Sequence, residues 1–186
     1  MATAFTDLPP DVYSDGPGKM ADVAIWQDGR HVSTKLRWGL RPGHPGDRTI
    51  SLLRAEGRTF SRRCLIVANK LYLRPGTGPN GTRRTVEMID MGGSFFCFAG
   101  TWAPESAAWP AAFAGITVEA YPDIEPFQDR HIAVVRRSDW KRWLSGEASE
   151  DEILQPFPLG SFRVSGPPKR APARPEPAPV SADLFG

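Results

Sequence analysis

Long apolar runs are missing from this 186-residue chain; none approaches the roughly 20 residues that a membrane-spanning helix needs. The opening Met-Ala-Thr-Ala-Phe-Thr-Asp carries no basic region followed by an apolar one, so it does not read as a secretory signal. Cysteine is scarce. The two present, Cys64 and Cys97, lie in apolar strand-like runs without CxxC spacing or a nearby histidine pair, which excludes a patterned zinc site and leaves buried thiols. No segment repeats. A cytoplasmic protein is the expectation, and neither a metal nor an organic cofactor is called for.

Acidic residues are almost absent from one long block. Between Arg30 and Arg84 there are 13 lysines and arginines against two acids, Asp47 and Glu56, although the whole chain balances 23 against 21. A contiguous basic block suits a polyanion, because neutralising phosphates releases counterions. Nucleic acid is therefore the leading partner.

Residues 1–18 are rich in Pro, Asp and Gly and read as an irregular lead-in; residues 19–165 carry the folded pattern. Met20 to Trp26 and His31 to Trp38 alternate on either side of Gln27-Asp28-Gly29-Arg30, a hairpin with an Asp-Gly turn. Gly39 to Arg48 is loop. Arg62 to Arg74 holds the apolar run Cys64 to Ala68 and resumes alternation at Leu71-Tyr72-Leu73, which predicts a core strand emerging on a basic surface. Further strands are expected over Arg83 to Met91, Ser94 to Trp102, Gly115 to Tyr121, Ile132 to Val135 and Phe162 to Val164, with a Pro-interrupted connection over Ala103 to Ala114. Ser138 as N-cap, Trp140, Trp143 and Leu144 at helical spacing and Gly146 as the stop predict one helix; Ser149 to Leu154 predicts a second. Residues 166–186 turn to Pro, Ala and basic residues that cannot build a core, and read as a disordered tail. Many strands and few helices give an α+β domain with a strongly curved, mainly antiparallel sheet.

Five short motifs occur in order: Arg37-Trp38-Gly39-Leu40, Arg54-Ala55-Glu56, Arg63-Cys64-Leu65-Ile66-Val67-Ala68, Phe98-Ala99-Gly100-Thr101-Trp102, and Asp129-Arg130 followed by an apolar strand, Asp139-Trp140 and Trp143-Leu144. In that order and spacing they make the chain resemble the SOS response-associated peptidase (SRAP) family of abasic-site processing proteins over roughly Leu36 to Val164. The resemblance implies a basic groove for single-stranded DNA. It also implies a cysteine at the second residue that crosslinks to the abasic-site aldehyde, assisted by an asparagine, a glutamate and a histidine. None of these four carries over. Ala2 stands at the second residue, and the segment before Arg37-Trp38-Gly39 is short for the usual N-terminal elements. Leu52 stands where the asparagine is expected, Leu73 where the glutamate is expected and Gln128 where the histidine is expected. Leucine has no proton to give. His131, Cys64 and Glu56 read respectively as a surface or core histidine, a packing residue and a partner for an arginine.

The DNA-facing positions are better kept. Trp38 matches a base-stacking tryptophan, Arg37 a groove arginine and Arg54 a phosphate contact; Arg41, Arg58 and Arg62 extend the basic set. At the other end, Ser181-Ala182-Asp183-Leu184-Phe185-Gly186 resembles the peptide that docks bacterial repair proteins on the DNA sliding clamp, with Asp183, Leu184 and Phe185 as the matching residues. The expectation is a catalytically degenerate family member, a pseudoenzyme that binds single-stranded or damaged DNA in the DNA-damage response and is tethered to the clamp or another repair protein. An active crosslinking enzyme with a rearranged site, or a protein-binding accessory subunit, are the alternatives.

Overall fold

The computed structural model describes residues 17–68, 70–73, 81, 84–88 and 95–166. Among these, no helix is long and apolar enough to cross a membrane. The strands are β1 (Met20–Gln27), β2 (Arg30–Trp38), β3 (Leu52–Arg54), β4 (Arg63–Ala68), β5 (Leu71–Tyr72), β6 (Thr85–Met88), β7 (Phe96–Ala103), β8 (Ala112–Glu119), β9 (Arg130–Ile132), β10 (Val134–Val135) and β11 (Phe162–Val164); the helices are α1 (Trp140–Ser145) and α2 (Glu150–Ile153). The lead-in up to residue 16 and the tail from residue 167, with Ala2, Asp183, Leu184 and Phe185, lie outside the described residues.

The hairpin forms as its turn dictates. Asp28 and Gly29 both take positive φ, 50° and 74°, the pair of left-handed residues that matches the twist of the strands they join. Met20 to Gln27 then register residue by residue against Arg37 to Arg30. β1 also pairs with β4, β4 with β7 and β7 with β8, all antiparallel, and β8 returns to β2 in parallel through Arg37↔Ala112 and Trp38↔Phe113. The sheet thus closes into a ring, β1-β2-β8-β7-β4, the limit of the curvature expected. Closure brings Gly100 and Gly115 opposite one another on β7 and β8. A Cβ on Gly100 would stand 2.7 Å from Cys64 Sγ and one on Gly115 would stand 2.5 Å from Ile132 Cδ1, so a larger residue at either position would force its neighbour's side chain to shift. β3, β9 and β10 extend the ring, while β5, β6 and β11 form a separate small sheet. The two strands expected over Arg83 to Met91 and Ser94 to Trp102 therefore belong to different sheets.

Arg63 is not a surface residue. Of the two arginines at the start of β4, Arg62, just before it, is exposed and Arg63, its first residue, is 7 % exposed. Its guanidinium meets Glu150 at 2.9 Å, donates to the carbonyls of Ala148 (2.6 Å) and Phe60 (3.2 Å), and lies 4.6 Å from the centre of the Trp143 ring. Glu150 Oε1 also accepts the Phe60 N–H at 2.8 Å. Trp143 in turn donates its indole N–H to the Cys64 carbonyl at 3.0 Å. The two helices are in this way fastened to β4. α2 starts as its sequence requires, with a capping box between Ser149 and Glu152. α1 ends at Gly146 in the left-handed region, φ 75°. Its expected cap, Ser138, falls instead inside a 3-10 turn, Arg137–Asp139, because the chain leaving β10 winds tightly before the helix begins.

His131 is a core residue. Its Nε2 accepts the Tyr121 N–H at 3.2 Å and its Nδ1 lies 2.6 Å from the Ile132 carbonyl, an arrangement that needs the neutral ring protonated on Nδ1. Burial is the main cause of its lowered pKa, about 4. A depressed value means that the unfolded chain takes up the proton first. Stability conferred by neutral His131 is complete above pH 6.5 and is lost as pH falls toward about 4, by on the order of 3 kcal/mol in all. Urea unfolding of the wild type is expected to show this decline already between pH 6.5 and 5, and His131→Gln to show a flatter profile over the same window; identical slopes would contradict the assignment.

Candidate nucleic-acid interface

Arg37, Trp38 and Arg54 are placed along one edge of β8. Trp38 ends β2 opposite Phe113; Leu52 and Arg54 of β3 stand opposite Gly115 and Thr117. Phe113, Gly115 and Thr117 alternate along one strand, so their partners Trp38, Leu52 and Arg54 share one face of the sheet. Arg37, paired with Ala112, takes the other face. The ordered motif Arg37-Trp38 therefore serves two surfaces, not one.

Trp38 is half-buried and plugs the end of the ring. Its ring centre lies 5.5 Å from that of Phe113 and its indole N–H donates to the Ser51 carbonyl at 2.8 Å. One side of the ring packs on the core, and the remainder is open. Arg54 is exposed at the end of β3. Arg58 follows one tight turn later, its N–H bonded to the Ala55 carbonyl at 3.2 Å. Arg41 is exposed beyond the Leu40↔Ile50 bridge, and Arg62 precedes β4 with its carbonyl held by Thr101 Oγ1 (2.7 Å) and the Trp102 N–H (3.0 Å). None of Arg37, Arg41, Arg54, Arg58 and Arg62 forms an ion pair with an acid among the described residues.

The positions matched to the family's acid-base groups carry none. Leu52 is half exposed beside Gly115, on the same face as Arg54. Leu73 is 1 % exposed, its N–H bonded to the Arg84 carbonyl at 2.9 Å, so an apolar side chain fills a closed position of the core. Gln128 is half-buried and donates to the Arg130 carbonyl at 2.6 Å. Burial pushes both thiols, Cys64 and Cys97, well above the usual cysteine range, which keeps them protonated and unreactive. Glu56 is bound to Arg130, whose Nη2 reaches its two oxygens at 2.9 and 2.8 Å. Burial alone would raise the Glu56 carboxyl, but hydrogen bonds from its own backbone and from Arg130, with the charges of Arg130 and Arg54, outweigh it and hold the group below its ordinary value, so it is an ionised partner and not a proton donor.

A cleft of about 290 Å³ opens next to the end of β3, lined among others by Ala55, Glu56, Glu119, Glu150 and Asp151. Glu56 and Glu150 are paired with Arg130 and Arg63, and Glu119 and Asp151 leave the cleft acidic, which disfavours a phosphate there. Among the described residues no cluster of His, Cys, Asp and Glu could hold a metal ion.

One aromatic was not marked by any sequence pattern. Trp109 lies in the connection between β7 and β8, half-buried, with its indole N–H on the Gly39 carbonyl at 3.0 Å and its ring under the Arg37 guanidinium, 5.4 Å from the centroid. A lone tryptophan between alanines and a proline has no periodicity to betray it. Its only cue is an aromatic among small residues.

Known structures share this architecture. A protein from Bordetella bronchiseptica superposes with TM-score 0.62 at 17 % identity, covering 80 % of this chain and 83 % of that one. A protein from Bacteroides thetaiotaomicron gives 0.59 at 16 % identity, covering 79 % and 73 %, and a phage-related protein from Bordetella bronchiseptica gives 0.57 at 18 %, covering 83 % and 80 %. At such identities the likeness shows the fold. Among curated proteins, none matches the sequence. The model of the family described as SOS response associated peptidase (SRAP) matches residues 4–165, and on that match the chain belongs to the SRAP family.

Proposed function

We propose that this SRAP protein binds single-stranded or damaged DNA along the β8 edge without forming a covalent bond to it. Membership of the family implies a role in the SOS, or DNA-damage, response. The observation that carries the DNA reading is the set of exposed arginines, Arg41, Arg54, Arg58 and Arg62, none of which forms an ion pair with a described acid. Exposed cations without a contact ion pair attract a phosphate backbone, and Trp38, on the same face as Arg54, supplies a face on which any base stacks. The degenerate chemistry is read from Leu52, Leu73 and Gln128, which hold no carboxylate and no imidazole where the family's acid-base groups are expected.

A fluorescent single strand tests the interface by anisotropy. Binding is expected to weaken steeply with salt. Trp38→Ala should cost about 1 to 3 kcal/mol of affinity, and Arg54→Ala should lower the salt slope by about 1. Unchanged affinity in both variants, at unchanged melting temperature, would remove the interface from this edge.

The tail reading belongs to the same proposal and rests on sequence alone. Asp183, Leu184 and Phe185 fit a short apolar-tipped peptide that docks on the DNA sliding clamp, and the Pro-rich stretch from Gly166 to Val180 would act as its tether. Calorimetric titration with a bacterial sliding clamp is expected to give heat for the full chain and none after deletion of residues 182–186. Equal heats would sink the clamp assignment.

A further inference from the structure

We infer that Arg37 and Trp109 form a second DNA subsite on the outer wall of the ring, where a phosphodiester is held by the guanidinium and the adjoining base rests on apolar surface. It rests on the DNA-binding reading above and extends it: bound single-stranded DNA runs from the face of Trp38 and Arg54 over the end of the ring to the face of Arg37.

The register supplies the path. Trp38 and Arg37 are neighbours at the last residues of β2, directed to opposite faces, and Gly39 follows at once with φ 135° and its carbonyl on the Trp109 indole N–H. The chain therefore turns from one surface to the other within three residues. A ligand that tracks the exposed cations makes the same turn.

The chemistry of Arg37 marks the end of that path. Its Nε–H is enclosed without an acceptor, and no hydrogen bond or ion pair engages its guanidinium among the described residues. The terminal nitrogens, which no described group engages and which are not enclosed, are the donors left for an arriving phosphate oxygen. The guanidinium does not wander in search of one, because it lies against the Trp109 ring. Trp109 is itself fixed. Besides its bond to Gly39, it forms a two-way backbone bridge with Ser106, at 2.9 and 3.3 Å, and its N–H also reaches Ser106 Oγ at 3.1 Å. Met20, paired with Arg37 across the hairpin and 55 % exposed, adds apolar surface on the same face. Trp109 is thus a positioning residue for Arg37 and a wall for a base. An arginine serving only to cover Trp109 would have no such role in binding.

Length dependence separates the two surfaces. Wild type, Arg37→Ala, Trp109→Leu and Trp109→Phe are titrated with labelled oligothymidylates of about 4 and about 16 nucleotides over a range of salt. On the longer strand, Arg37→Ala and Trp109→Leu are each expected to weaken binding about fivefold or more, and Arg37→Ala to lower the salt slope by about 1; Trp109→Phe, which keeps a ring under the cation, retains most of the affinity. On the short strand, which the Trp38 face accommodates, Trp109→Leu and Trp109→Phe should bind as wild type does. Wild-type affinity of Trp109→Leu for both lengths overturns the subsite and leaves the Trp38 interface standing. Equal losses on both lengths overturn it too, as the mark of a structural defect. If wild type binds neither strand, the DNA-binding reading fails and the subsite with it.

Discussion

The buried ion pair between Arg63 and Glu150 joins the parts of this protein that sequence leaves far apart. Arg63 begins the central strand of the ring; Glu150 begins the last helix. Between them they also engage Phe60, Ala148 and the Trp143 ring, so the loop before β4, the link between the helices and both helices themselves meet at one charge pair. The strength of such a pair lies less in its formation than in the penalty for breaking it. Removing one partner strands the other charge in the interior, at about 3–5 kcal/mol, whereas the intact pair is satisfied by its added hydrogen bonds. Arg63 is thereby withdrawn from the basic surface, and Arg62 beside it is left to face solvent.

A closed ring then decides which arginines can act together. Because β8 is shared between β2 and β3 on one edge and β7 and β9 on the other, side chains separated widely in sequence share a face: Trp38, Leu52 and Arg54 on one, Arg37 with Trp109 on the other. The rigid wall fixes their spacing, and the glycines at its tightest turn keep the wall thin enough to close. What the family's reaction would need at this face is absent from the matched positions. Leu73 is sealed in the core, Leu52 is apolar and exposed, Gln128 is occupied with the Arg130 carbonyl, and Glu56 is committed to Arg130. The surface that remains is electrostatic and aromatic, as the proposed binding of DNA requires.

Local devices were legible in the sequence; long-range ones were not. The Asp28-Gly29 turn, the Ser149 capping box and the Gly146 stop act within a few residues, and each appears where its chemistry demands. Glu56 as an arginine's partner and the burial of Cys64 and Cys97 were also readable, from the absence of any pattern that would make them reactive. Arg62 and Arg63 are indistinguishable by type, and only a glutamate some ninety residues later determines which is buried. The parallel return of β8 to β2, which closes the ring, leaves no periodic mark. The same holds for the division of Arg83 to Met91 and Ser94 to Trp102 between two sheets. Alternation does predict that Arg37 and Trp38 face opposite ways, but a motif read as a unit hides it.

The central claim is that this SRAP protein holds DNA without bonding to it. Incubation of the full chain with a single-stranded oligonucleotide carrying one abasic site, followed by denaturing electrophoresis, tests it most directly, because only a covalent product survives denaturation. The expected result is complete separation of protein and DNA under denaturing conditions, while the same mixture in a native gel at low salt shows a retarded complex. A slower band that persists after denaturation would contradict the claim and show that the protein carries a crosslinking site of its own.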